Sequence, residues 1–188
     1  MSDNPIEPDS KDWTWVLERR CDDCGFDPAT VTRGNLVERI SRAADPWPAR
    51  LRLEDARRRP APAVWSPTEY AAHVRDVAGV MAGRLEVILT HEDGEFPDWD
   101  QDAAALAADY ASQDPGEVSA ELRPAVETLA AAFAAVGGEQ WDRSGRRSNG
   151  SVFTAYTLGV YALHDFEHHL HDVGGAPPAP ASPAAPSP

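Results

Sequence analysis

Between about residue 12 and residue 173 the apolar side chains recur at steps of three and four, the spacing that gathers them on one face of an α-helix. The clearest case opens at Ser66-Pro67-Thr68-Glu69. Ser66 can accept from the free N–H groups of a first turn, Pro67 suits the first helical position, and Glu69 completes a capping box. The helix so begun should reach about Thr90. Its apolar stripe is Tyr70, Val74, Val77, Val80 or Met81, Leu85 and Ile88, and His73 falls on the edge of that stripe.

The same pattern predicts a helix from near Asp27-Pro28 or Thr30 that carries Leu36, Val37 and Ile40. Pro46 and Pro48 interrupt it, and a second piece runs through Leu51 and Leu53. Pro60 and Pro62 form an extended linker. A shorter helix is expected around Asp102 to Ala111. Asp114-Pro115-Gly116-Glu117 then starts one that ends at Gly137-Gly138, with a bend at Pro124. Trp141 to Asn149 reads as a polar loop. The last helix should run from Ser151 or Thr154 to Asp172, where Gly174-Gly175 stop it. Period-2 alternation between hairpin turns is absent and alanine is abundant. The expected fold class is therefore all-α, an antiparallel four-helix bundle over residues 12–173. Residues 1–11 and the Pro/Ala-rich tail, 174–188, are expected to be disordered.

Composition narrows the function classes. A chain of 188 residues supports one domain with a sizeable core, and its 42% hydrophobic content is ordinary for a soluble fold. No run of about 18 apolar residues is present to span a membrane. The acidic, polar start MSDNPIEPDS lacks the features of a signal peptide, which predicts a cytoplasmic protein. A net charge of −14 disfavours nucleic acid and anionic membranes as partners. Cys21-Asp22-Asp23-Cys24 has the spacing of half a zinc ribbon or of a redox pair, but no second C-x2-C follows to complete four ligands. The two aspartates oppose thiolate formation, and reduced thiols in a turn closed by Gly25 are the simplest reading.

Four of the six histidines lie in His164-Asp165-Phe166-Glu167-His168-His169-Leu170-His171. On a helix His164, His168 and His171 share a face with Thr157, Val160 and Tyr161, while His169 points about a quarter-turn away. Buried imidazoles need partners. Two of them one turn apart can both reach a single ion, with Zn–N bonds of about 2.0–2.1 Å. His73 is the histidine elsewhere that sits on a well-capped amphipathic helix, whereas His91 lies past that helix and reads as a surface residue. The candidate ligands are His73, His164 and His168. Taken singly, His73 also fits a hydrogen-bonded core histidine, and His171 an exposed residue of the last turn.

Trp65-Ser66-Pro67-Thr68-Glu69-Tyr70-Ala71-Ala72-His73 and His164-Asp165-Phe166-Glu167-His168-His169 together resemble the two recurrent signatures of the DinB/YfiT-like superfamily. Trp99-Asp100 and Gly145-Arg146-Arg147-Ser148 resemble an actinobacterial-type branch of it. The resemblance spans roughly residues 13 to 173. It implies a four-helix bundle, often dimeric, that holds a divalent metal through His73, His164 and His168. The metal is expected to be zinc, with Ni2+, Fe2+ and Mn2+ as alternatives. In relatives with known chemistry the metal activates a low-molecular-weight thiol such as mycothiol or bacillithiol for S-transfer or isomerisation. His164 stands where the mycothiol-dependent maleylpyruvate isomerases carry a carboxylate, and their added C-terminal domain is missing, which counts against that particular reaction.

The expected function is accordingly a metal-dependent transfer of a small-molecule thiol to an electrophilic substrate. The thiol co-substrate supplies the sulfur, so neither Cys21 nor Cys24 need be the nucleophile. A metallohydrolase in which the metal activates water, or a non-catalytic metal-binding stress protein, would need the same ligands. Asp172, four residues past His168, can orient an imidazole or serve as a solvated helix end. Glu69 is better read as part of the capping box. Arg143, Arg146 and Arg147 read as solvated loop residues able to grip a carboxylate, and Tyr161 as a core residue.

Overall fold

The computed structural model describes residue 6 and residues 12–176, so the expectations of disorder for residues 1–11 and for most of the tail lie outside it. The α-helices are α1 (Leu36–Arg42), α2 (Trp47–Arg50), α3 (Pro67–Thr90), α4 (Gln101–Ala107), α5 (Pro115–Ala134) and α6 (Ala155–Asp172). Short 3-10 turns precede α1 at Trp13–Leu17 and Pro28–Thr30.

Local chemistry sets these boundaries. Ser66 and Glu69 form both arms of the capping box at the start of α3: the Glu69 amide donates to Ser66 Oγ at 3.3 Å and the Ser66 amide to Glu69 Oε2 at 2.8 Å. Glu69 is buried, and the Arg59 guanidinium neutralises it. Asp114 caps α5 through the amides of Gly116 and Glu117, and that helix continues through Pro124. Thr154 caps α6, its Oγ1 accepting from the Thr157 amide at 3.0 Å.

Helices α1, α3, α5 and α6 enclose the core, with α3 packed on both α5 and α6, and α1 on the same two. Buried Val118, Leu122, Val126, Leu129 and Phe133 of α5 meet Ala71, Val74, Val77, Ala78, Met81, Leu85 and Ile88 of α3. Gly159 lets α6 close on its neighbours. A Cβ there would lie 2.6 Å from Leu36 Cδ2 and 3.1 Å from Phe133.

The all-α expectation needs one correction. Three short strands, β1 (Gly94–Phe96), β2 (Ser144–Arg147) and β3 (Val152–Thr154), form a sheet in that order, with β1 parallel to β2 and β2 antiparallel to β3. Part of the expected polar loop at 141–149 is thus a strand. Glycine makes the close approach feasible, since a Cβ on Gly145 would sit 2.8 Å from Ile88 Cγ1 and 3.0 Å from the Gly94 carbonyl. The sheet ties the end of α3 to the start of α6. These two helices therefore run antiparallel, and the first turns of α3 meet the last turns of α6. Among the described residues, no helix is long and apolar enough to cross a membrane.

Candidate metal centre

That meeting point carries the histidines. His73, on the second turn of α3, faces Asp165 and His169 of α6. His73 Nε2 lies 3.6 Å from Asp165 Oδ1, and His169 Nε2 lies 3.9 Å from the same oxygen. One donor atom from each of the three residues falls within 4.8 Å of the others. A gap of 3.6 Å is long for a hydrogen bond. It is close to the roughly 3.4 Å expected between two donors on one tetrahedral ion with bonds of about 2.0–2.2 Å. Among the described residues, neither ring nitrogen of His73 has a hydrogen-bond partner, and neither does Asp165 Oδ1, although all three atoms are buried. Buried orphans of this kind are costly unless something satisfies them. An oxygen and two imidazole nitrogens are a donor set that suits a divalent transition metal, so the residues fit a metal ion.

The surroundings hold these donors in place. His73 is fully buried between Trp99, stacked on it at 5.5 Å, and Trp65 at 5.3 Å. Burial keeps its imidazole neutral by lowering its pKa. Burial alone would raise the pKa of Asp165, but the charges of His169 and His73 and the His73 contact outweigh it and hold the carboxyl at about 2. Asp172 Oδ2 accepts from His169 Nδ1 at 3.0 Å, which leaves Nε2 as the lone-pair nitrogen on the Asp165 side.

The three histidines expected to share an ion fall into two different groups of candidate donors. His164 and His168 do come together, with ring centroids 5.1 Å apart, but beside Cys21 and Cys24. His73 lies with the other i, i+4 pair of α6, Asp165 and His169. A carboxylate is therefore present, one residue beyond His164. Sequence reasoning passed over Asp165 and His169 because it counted one inward face on α6, whereas α1, α3 and the N-terminal segment surround this helix on several sides. The signal was available: H-D-x-x-H-H contains two ligand pairs at helical spacing, offset by one residue.

A cavity of about 70 Å³ opens between the two groups, lined by Trp13, Gln101, Tyr161, His164, Asp165, His168 and His169. It admits a few waters or one functional group, since each water needs roughly 10–15 Å³. Tyr161 lies beneath the guanidinium of Arg147, 6.0 Å from its ring. Arg84 is buried nearby, where its guanidinium donates to the Pro97 carbonyl at 3.3 Å and lies 3.9 Å from Met81 Sδ. Burial, then the charge of Arg147, lowers its pKa. The basic pair by the cavity is thus Arg84 and Arg147. Arg143 instead clamps the end of α3 through the carbonyls of Ile88 and His91, and Arg146 is exposed. His91 and His171 are exposed as expected.

A model of the DinB superfamily matches residues 36–173, about three quarters of the chain. The chain belongs to the DinB superfamily. Among solved structures, this DinB protein is similar to YfiT from Bacillus subtilis, described as a probable metal-dependent hydrolase with an unusual four-helix bundle topology. The TM-score is 0.67 at 16% identity, over 79% of this chain and 90% of that one, which establishes the shared fold. No curated protein matches the chain. The DinB match begins after Cys21 and Cys24, so that cysteine pair lies outside the matched region.

Proposed function

We propose that this DinB protein is a metal-dependent enzyme whose ion is held by His73, Asp165 and His169, and that it activates a low-molecular-weight thiol for transfer to an electrophilic substrate. The convergence of three donors, with the buried His73 nitrogens and Asp165 Oδ1 lacking hydrogen-bond partners among the described residues, carries this reading. When bound, a divalent ion such as zinc supplies the Lewis acidity that favours the ionised form of a small nucleophile near neutral pH. Imidazole and carboxylate donors suit zinc and are also compatible with Ni2+, Fe2+ or Mn2+.

The chain's own residues do the rest. Trp65 and Trp99 fix the His73 ring, and Asp172 fixes the tautomer of His169. Tyr161 and Gln101 line the cavity with groups that can hydrogen-bond a reactant. Arg84 and Arg147 supply positive charge for an anionic substituent beside Tyr161. Cys21 and Cys24 group with His164 and His168 instead of the triad. In this reading the reacting sulfur belongs to a co-substrate. The partners this reading calls for are small molecules. A net charge of −14 argues against nucleic acid, and a second copy of the chain is compatible with it.

Hydrolysis is the second reading, favoured by the description of YfiT. Metal-loaded protein assayed on a panel of electrophiles, with and without small thiols such as mycothiol, separates the two. Turnover that requires the thiol supports transfer, and thiol-independent turnover that rises through neutral pH supports hydrolysis. Absence of both in fully loaded protein overturns the enzymatic reading. His73→Ala should abolish whichever activity is found.

A further inference from the structure

The turn at Cys21–Cys24 is built like one half of a metal knuckle. The Gly25 amide donates to the Cys21 carbonyl at 2.9 Å, the Cys21 amide to the Phe26 carbonyl at 2.8 Å, and Gly25 takes φ +77° to close the loop. The Phe26 amide then points at Cys24 Sγ, 3.5 Å away. An N–H aimed at sulfur stabilises a thiolate more than a thiol. The sequence offers no second C-x2-C, but the fold brings the missing half from 140 residues downstream. Cys21 Sγ lies 3.7 Å from His168 Nδ1, and one donor atom each from Cys21, Cys24, His164 and His168 lies within 4.8 Å of the others. Zn–S bonds of about 2.3 Å and Zn–N bonds of about 2.0–2.1 Å at a tetrahedral angle place sulfur and nitrogen about 3.6 Å apart. The cysteines are not joined by a disulfide, and among the described residues His164 Nε2 is buried with no hydrogen-bond partner.

From this geometry we infer that Cys21, Cys24, His164 and His168 form a second, closed metal site, a Cys2His2 zinc site with a structural role. It is independent of the function proposed for His73, Asp165 and His169. Binding releases both thiol protons, so Zn2+ with two thiolates and two neutral imidazoles carries no net charge, which suits a buried position. The triad with the same ion carries +1, which suits a Lewis acid. The four ligands complete a tetrahedron and leave no open position. Trp13 covers both imidazoles, at 5.7 Å from His164 and 5.2 Å from His168, and Phe26 packs edge-on against His164 at 5.3 Å. The site thereby fastens the segment before α1 to α6, adding to the ring contacts, the shared apolar core and the Tyr156 hydrogen bond to the Val31 carbonyl.

The test is metal analysis of the full-length protein purified under reducing conditions, with Cys21→Ser/Cys24→Ser and His73→Ala as parallel variants, followed by cobalt substitution of each. Wild-type protein should hold two equivalents of metal, and each variant one. The cobalt–thiolate charge-transfer band should be present in wild type and in His73→Ala, and absent in the double serine variant. If that variant fails to fold, thiol titration of native wild type decides: both cysteines should stay unreactive until a strong chelator is added, and then react as zinc is released. The site is overturned by cobalt-loaded wild type without the thiolate band, by cysteines that react with no release of metal, or by a Cys21–Cys24 disulfide in the reduced preparation. Loss of metal from His73→Ala alone would touch the proposed function and leave this site standing.

Discussion

Asp172 accepts a hydrogen bond from Nδ1 of His169 at 3.0 Å, two turns beyond the carboxylate that His169 faces. Burial would raise the Asp172 pKa, but that hydrogen bond and the charges of His169 and His168 hold it below its ordinary value, so it is present as the acceptor. Its other oxygen, Oδ1, lies 3.8 Å from His168 Nε2. One carboxylate therefore stands behind an imidazole of each group.

Asp172→Asn should lower metal affinity at the triad by about 10–100-fold, the usual cost of losing an outer carboxylate, while leaving the fold intact. A competition titration against a chromophoric chelator would measure this. Unchanged affinity would mean that packing alone orients His169.

Arg84→Met tests the buried cation. Replacing a buried charge that has no carboxylate in ion-pairing reach among the described residues with an apolar side chain of similar length is expected to leave stability equal or higher. The same change should raise KM for an anionic substrate with little effect on its uncharged analogue. A loss of thermal stability together with an unchanged KM would assign Arg84 to the scaffold.

The Glu69–Arg59 pair gives a pH prediction. Burial alone would raise the pKa of Glu69, but hydrogen bonds from Arg59 and Ser66 outweigh it, and the folded value lies below the ordinary 4.5. Between those two values the unfolded chain binds more protons, so stability falls as pH falls from about 4.5 toward the folded value. Glu69→Gln should cost about 1–3 kcal/mol at pH 7 and flatten that slope. Denaturant unfolding at pH 7 and pH 4 would show both effects.

Gly159→Ala sets two magnitudes against each other. Alanine gains about 1 kcal/mol in helix propensity, while overpacking costs about 1–3 kcal/mol. Leu36 and Phe133 are fully buried and have nowhere to retreat, so the variant should be less stable by up to about 2 kcal/mol. An increase in Tm would show that α1 can shift outward.

What the sequence made legible follows from how local each signal was. Ser66, Pro67 and Glu69 sit within four residues and specify the start of α3, and with it the position of His73. Thr154 and Gly174 likewise bracket α6. The strands were invisible because each has three or four residues, too few for alternation to register, and because Gly94 and Gly145 are there for close approach. The grouping of the ligands was invisible for another reason. Cys21 and His168 meet across 147 positions, and Asp165 looked like one more acid on a helix until α3 laid His73 against it.

The alternation of the two groups along α6 constrains the history of this stretch. His164 and His168 serve one side, and Asp165 and His169 the next, so each pair is the other advanced by a single position. Inserting or deleting one residue before His164 would turn the helix about 100° there, carrying one pair onto the other's partners and swinging the second pair away from both. Length changes near this point therefore strike both groups at once, and only point substitutions can let one decay while the other persists. Homologues should accordingly keep the length between Thr154 and Asp172 fixed, whichever of the two groups they retain.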